Sequence, residues 1–554
     1  MPALYFIVMV GVLVFVHELG HYMWARIFGV RVLRVSLGFG PRLTGFTRDG
    51  TEYVISALPL GGYVRMLGEN PLDEVRPEDK DRSFAGQSLL RRIVIVVAGP
   101  AMNLIFPVLL YFVVFLGDNE LSPASIGAVF AGRPAHGQLR PGDRVLAVDG
   151  DEISTFYELS RTIEGSAGKK LTLTVQRGEE TFETKVTPAL ERQDHPLDVP
   201  RWVGRIGVMP QHPLAVIGVA SKSEAAAKAG LQTFDMIVSA AGRPIENFLD
   251  LQKVLDSNRG TLLPITYLRP QALEDGLGGL IDMDAYMPGV TALTPEPGKG
   301  DGLLRAGLES ADLYVAEVKE GSPEAAIGLL RGDRLLQLDG KPITQWDTFV
   351  ETLRMGKGIT HRLSWRRGTE VFSREFRLQH QRGETEHGQV LDRYVVSVHH
   401  WLPMRADPPV ENPFPIRYAM AEAWRATTDV VELTLLSMVR LVQGRLTIRS
   451  LGGPLTIFEA AGSAAREGAL NYLTLMAFIS INLGLINLFP VPLLDGGHMA
   501  FFLIEAALRR PMRAQIREYA QVAGFVFLFA VMILALKNDL ERQWPEIVDA
   551  VVHE

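Results

Sequence analysis

The sequence predicts a multi-pass α-helical membrane protein with four transmembrane helices and tandem α+β domains between the second and the third. Three observations carry that prediction. Four segments are apolar over a bilayer-spanning length. The stretch between the second and third is polar and repeats one pattern at a domain-length period. The chain as a whole, 554 residues with 21% charged side chains, is too long for one core, and its mean hydropathy is nonetheless positive.

The apolar segments run from about Leu4 to Ala25, Ile93 to Leu116, Ala469 to Phe489 and Ala520 to Leu536. The first is not read as a cleaved signal peptide, because no Lys or Arg precedes it and a polar motif interrupts it. Arg26, Arg31, Arg34, Arg42 and Arg48 follow the first span, Arg91 and Arg92 precede the second, and Arg509, Arg510, Arg513 and Arg517 lie between the third and fourth. Basic residues gather on the cytoplasmic side of a membrane. Both short connections are therefore expected inside, with both termini and the whole 117–468 region outside. The net charge of -7 argues against nucleic acid as a partner. With no cysteine, neither a disulfide nor a thiolate metal site can form.

Within the outer region one pattern recurs. Pro134 to Gly150 contains Gly142-Asp143-Arg144 followed by an alternating strand. Ala225 to Gly242 repeats it around Asp235, and Ser322 to Gly340 around Gly332-Asp333-Arg334. Each copy reads as a short helix, a tight turn and a strand. The pattern resembles the PDZ domain of bacterial proteases, which implies binding of extended peptides or terminal carboxylates by strand addition. On this reading residues 117–202, 203–270 and 311–400 are PDZ-type domains 1, 2 and 3. Residues 271–310, rich in Gly and Pro, read as a linker or insertion. The second copy carries Phe234 where the others have glycine, which puts its groove in question. Residues 401–468 are expected to hold membrane-surface amphipathic helices, since 416–446 mixes charges with apolar runs. Residues 1–116 and 469–554 make up the membrane portion.

The chemistry centres on His17-Glu18-Leu19-Gly20-His21 inside the first span. Positions i and i+4 share a helix face, so both imidazoles can reach one metal ion while Glu18 stands beside a bound water as general base. Three ionisable groups within a span are costly unless paired or metal-bound. Two histidines are too few for catalytic zinc, and the best place for a third ligand is the run Asn487 to His498. There Pro490 and Pro492 break the helix at membrane depth, which is tolerated where backbone lines a cavity. Asp495 in that run is a carboxylate in need of a cation. Depth agrees: His17 lies about 20 Å inward from Leu4 and Asn487 about 27 Å inward from Ala469 at the helical rise. Both clusters fall in the cytoplasmic half of the bilayer.

These motifs resemble the site-2 protease family of intramembrane zinc metalloproteases, and within it the bacterial regulator-of-sigma branch. The matching residues are His17-Glu18-x-x-His21, Asn487-x-x-Pro490-x-Pro492-x-x-Asp495-Gly496, Gly38-Phe39-Gly40, Pro59 to Val64, and Ala98-Gly99-Pro100-Ala101-Met102-Asn103. The resemblance implies one zinc ion per chain held by His17, His21 and Asp495, with Glu18 as base and Asn487 steadying the tetrahedral intermediate. It implies substrates that are single-span membrane proteins, of anti-sigma-factor or remnant-signal-peptide type. A third outer PDZ copy departs from the one or two expected of that branch.

Three further residues or segments are open at this point. His498 reads as a fourth ligand or, more simply, as a supporting residue, and Asn482 as a substrate contact or a helix-packing contact. Glu52 to Leu58, after Asp49-Gly50, reads as the second strand of a cytoplasmic hairpin whose edge either packs on the membrane face or holds an unwound substrate. The competing classes are a membrane-anchored PDZ scaffold or sensor without proteolysis, for which Glu18 would have no use, and a transporter, for which inverted repeats would be expected and none is seen.

Overall fold

The computed structural model describes residues 2–69, 75–118, 120–193, 201–221, 224–271, 286–297, 301–356, 358–384, 390–447, 452–510 and 512–552. They divide into two compact units, one of membrane helices and one spanning 120–383 and 391–413.

In the first unit four helices are long and apolar enough to cross a membrane. They are α1 (Pro2–Ile27), α2 (Leu89–Phe115), α5 (Ala469–Asn487) and most of α7 (Ala514–Val552). Three shorter or more polar helices accompany them: α3 (Pro415–Val442), α4 (Pro454–Glu467) and α6 (Asp495–Leu508). The α1–α2 contact depends on glycine, because a Cβ at Gly20 would fall 2.3 Å from the Ala98 carbonyl oxygen. Small residues at such crossings let backbones approach closely. In α2, Pro100 and Pro107 lie inside the helix. Each removes an N–H, so the carbonyls of Val96 and Asn103 lose their helical partners. The Ser480 hydroxyl of α5 donates to the Asn103 carbonyl at 2.8 Å, which satisfies one of them.

One of these helices differs from expectation. Residues 416–446 were expected to form helices on the membrane surface; instead α3 is one continuous helix with Ala419, Ala423, Thr427 and Thr434 buried. It belongs to the same apolar cluster as Leu110 and Tyr111 of α2 and Ala477 and Ile481 of α5. The small residues at helical spacing give it a packing seam, while Arg425 pairs with Glu422 and Asp429 along its own surface. In α4 the first backbone N–H groups are capped from α7: the buried Asp539 carboxylate accepts from Gly453, Leu455 and Thr456.

Strands β1 (Val32–Arg48) and β2 (Thr51–Met66) form the hairpin expected after the first span, and β2 runs well beyond Leu58. Asp49 and Gly50 take φ of 51° and 74°, the geometry of a two-residue turn. Both strands bend, so that the first half of β1 pairs on one side with 52–55 and on the other with 62–66. Gly62 then lies against Val14 and Glu18 of α1.

The second unit contains three copies of one module. Each has a four-stranded sheet whose order is short second strand, first strand, third, fourth. The first strands are Arg144–Val148, Met236–Ala240 and Arg334–Leu338, and the module helices are Phe156–Glu164, Phe248–Ser257 and Trp346–Met355. Separate cores form around Leu159, Leu251 and Phe349. The repeated aspartates are structural. Asp143, Asp235 and Asp333 are buried, and each accepts two hydrogen bonds, at 2.7 and 2.7–2.8 Å, from Arg177, Arg269 or Arg367. The same guanidinium groups lie over Phe182, Tyr267 and Phe372.

The reading of 271–310 as a linker is corrected in part. Tyr286–Leu293 pairs along its length with Leu263–Pro270 as the fourth strand of the second module. Gly302–Ala306 is a short helix, and Leu308–Ser310 pairs with Ile217–Val219. The Gly- and Pro-rich composition belongs to a stretch of which 272–285 lies outside the described residues. Leu293 closes the core beyond it, fully buried.

Phe234 keeps the left-handed backbone of the glycines it replaces, with φ of 78° against 89° at Gly142 and 87° at Gly332. Its ring is buried beside Trp401 and Tyr314, with the Arg331 guanidinium over its face. The unfavourable φ is offset by an aromatic contact between the second and third modules.

Candidate metal centre

Helix α1 sets the first two donors. His17 and His21 are buried on one face, with Nε2 atoms 3.2 Å apart. The third comes from far along the chain. After α5 ends at Asn487 the backbone breaks at Pro490 and Pro492, Leu493 takes a φ of 111°, and Asp495 opens α6. Its Oδ2 lies 3.1 Å from His17 Nε2 and 3.6 Å from His21 Nε2. Among the described residues these three form the one group of histidines and carboxylates able to hold a metal ion.

The spacing suits zinc. Donors about 2.0–2.1 Å from a tetrahedral ion lie about 3.3–3.4 Å from one another, and the three separations here, 3.1, 3.2 and 3.6 Å, fall on either side of that value. Two imidazole lone pairs and a carboxylate oxygen turned together need a cation between them. A metal ion held by these three side chains alone would keep a fourth position for water or substrate, as catalytic zinc requires.

Helix α2 lines the site with glycine. A Cβ at Gly99 would fall 2.3 Å from His21 Nε2 and 2.9 Å from His17 Nε2. The His21 ring is oriented by Nδ1–H donation to the Ile95 carbonyl at 2.9 Å, which leaves Nε2 free to ligate. The side-chain amide of Asn103 meets His17 Nδ1 at 3.3 Å. Glu18, on the adjoining face of α1, lies against Gly62 of β2, where a Cβ would fall 3.5 Å from the Glu18 Cγ.

The other expected residues fall as follows. Asn487 is the last residue of α5, just before the break that leads to Asp495. His498 is outside the three-residue cluster and packs its ring edge-on to Phe501. Asn482 accepts from the Thr434 hydroxyl of α3 and donates to the Phe478 carbonyl, a helix-packing role. Asn103, Gly99 and the Ile95 carbonyl were not reached from spacing alone. Pro107 is the available signal for Asn103, since it frees that residue's carbonyl at membrane depth.

Comparison with known proteins gives a consistent result. The model of peptidase family M50 matches residues 5–531. Regulator of sigma-E protease RseP of Salmonella typhimurium is 30% identical over 551 residues, covering 97% of this chain and 98% of its own. The protein of the same name from Escherichia coli is 29% identical over 542 residues, with the same coverage. Among solved structures, the PDZ domain of an SdrC-like protein from Listeria monocytogenes covers 16% of this chain and 86% of its own, at 17% identity and a TM-score of 0.13.

Proposed function

The chain belongs to peptidase family M50, the site-2 proteases, and from that premise we propose that His17, His21 and Asp495 hold the zinc of an intramembrane metalloprotease whose base is Glu18. The observation that carries the assignment is the meeting of these three donors, from two segments more than 470 residues apart, at tetrahedral-edge distances. When bound, zinc acidifies a water molecule and polarises the scissile carbonyl. Glu18 takes the proton from the attacking water and returns it to the leaving amine. Asn487 directs its side-chain amide at the developing oxyanion, where a donor counts most in the transition state.

The substrate on this reading is a single-span membrane protein. We take anti-sigma-factor and remnant-signal-peptide types as the candidates, and relatives named as regulators of sigma-E support a role in sigma-factor control. A helical peptide bond is shielded by its own turn, so the substrate must unwind before attack. The distribution of Lys and Arg supports an inner-membrane orientation with both termini and the modules outside. The order of strands supports reading the three modules as PDZ domains that receive extended peptide ends.

The test compares wild type with Glu18→Gln in cells carrying a tagged single-span substrate, alongside the zinc content of His17→Ala. Cleavage lost in Glu18→Gln and zinc lost in His17→Ala are the expected results. Undiminished cleavage by Glu18→Gln would overturn the catalytic assignment, and unchanged zinc in His17→Ala would overturn the ligand set.

A further inference from the structure

The Ala98–Asn103 stretch of α2 takes no part in the chemistry just described, yet it lies against the metal ligands along its length. We propose that Asn103 is a positioning residue that fixes the proton and ring orientation of His17, so that Nε2 is presented to the metal. The inference rests on reading His17 as a zinc ligand.

Asn103 is fully buried, and its amide meets the one ring atom of His17 that is turned away from Asp495. A histidine that ligates through Nε2 must carry its proton on Nδ1, and that N–H needs an acceptor. The NH2 end of an amide cannot accept. The opposite end, Oδ1, is buried and has no hydrogen-bond partner among the described residues. The two ends of an asparagine amide are almost the same size, so turning it by a half-rotation costs no space. With Oδ1 toward His17, the orphaned acceptor and the required donor satisfy each other.

The backbone holds Asn103 in place. Pro107 deprives its carbonyl of a helical partner, and Ser480 of α5 supplies one at 2.8 Å. Gly484, one turn further along α5, brings that helix against Asn103, since a Cβ there would lie 3.2 Å from the Asn103 Cβ. His21 has the Ile95 carbonyl as its corresponding acceptor. Both metal-binding imidazoles are thus oriented by α2, four residues on either side of Gly99.

The test uses the purified full-length chain in detergent. It compares wild type, Asn103→Asp, which keeps an acceptor, and Asn103→Leu, which keeps the volume without one. Zinc per chain, the rate of zinc loss to a chelator, and melting temperature with and without zinc are measured. Asn103→Leu is expected to bind zinc about 10–100-fold more weakly than wild type, with a correspondingly smaller zinc-dependent rise in melting temperature. Asn103→Asp is expected to stay within a few-fold of wild type. A packing role alone would lower the metal-free melting temperature and leave zinc affinity unchanged. That result, or equal zinc loss in both variants, overturns the proposal. Should Asn103→Leu fail to fold, Asn103→Ala takes its place under the same criteria, and Asn103→Asp losing zinc as fast as His17→Ala is sufficient to reject it. A wild-type chain without zinc, or His17→Ala that keeps it, counts against the ligand assignment instead.

Discussion

At the scale of single residues, the site separates into what spacing reveals and what only packing reveals. His17, Glu18 and His21 are legible because four residues make one helical turn. Asp495 is legible as a carboxylate beside two helix-breaking prolines, where a charge needs a partner. Asn103 is not, because its role depends on α2 crossing α1 at Gly20 and Gly99, a tertiary fact. The same distinction holds in the modules. The Gly-Asp turns can be read from the repeat, but not that each aspartate is buried against an arginine two strands away. We predict that Asp495→Asn and His21→Ala lose bound zinc, measured as metal per chain, while Glu18→Gln keeps zinc and loses cleavage. In the third module, Arg367→Ala leaves Asp333 buried without its cation. The expected cost is about 3 kcal/mol, the low end for a broken buried pair because the guanidinium is 39% exposed. Denaturation of the outer unit by urea reads it.

At the scale of elements, the four spans match expectation closely because hydropathy over about 20 residues is a strong signal. Helix α3 was harder. Its charges suggested helices lying on the membrane surface, yet its alanines and threonines pack against α2 and α5 while Arg425 pairs with Glu422 and Asp429. Short α6, opened by Asp495, was hidden because the proline break dominates that stretch. The end of the second module was missed because its closing strand follows a Gly- and Pro-rich run. Two substitutions test this level. Gly20→Ala drives a methyl group into the Ala98 carbonyl, so α1 and α2 must separate. Loss of zinc together with a lowered melting temperature in detergent is expected; a wild-type melt would show that the crossing tolerates a wider gap. Phe234→Gly relieves an unfavourable φ but empties an aromatic site between modules. A net destabilisation of about 2–4 kcal/mol is expected, the usual cost of removing a buried phenylalanine less about 1 kcal/mol of backbone relief.

For the whole molecule, the positive mean hydropathy together with abundant charge follows from joining apolar helices to three polar modules. The orientation proposed from Lys and Arg can be tested directly because the chain has no cysteine. A cysteine placed at Gly150 should react with a membrane-impermeant maleimide in intact spheroplasts, and one at Arg509 only after lysis; the reverse pattern would invert the topology. The central claim is that one buried zinc, held by His17, His21 and Asp495 and served by Glu18, cuts membrane-embedded peptide bonds. Its most direct measurement is the cleavage of a tagged single-span protein by purified, zinc-loaded chain in detergent or lipid, for wild type and Glu18→Gln with equal metal content. The account predicts product from wild type and at least about a hundredfold less from Glu18→Gln, in keeping with loss of a general base. Equal product from the two at equal zinc would contradict it.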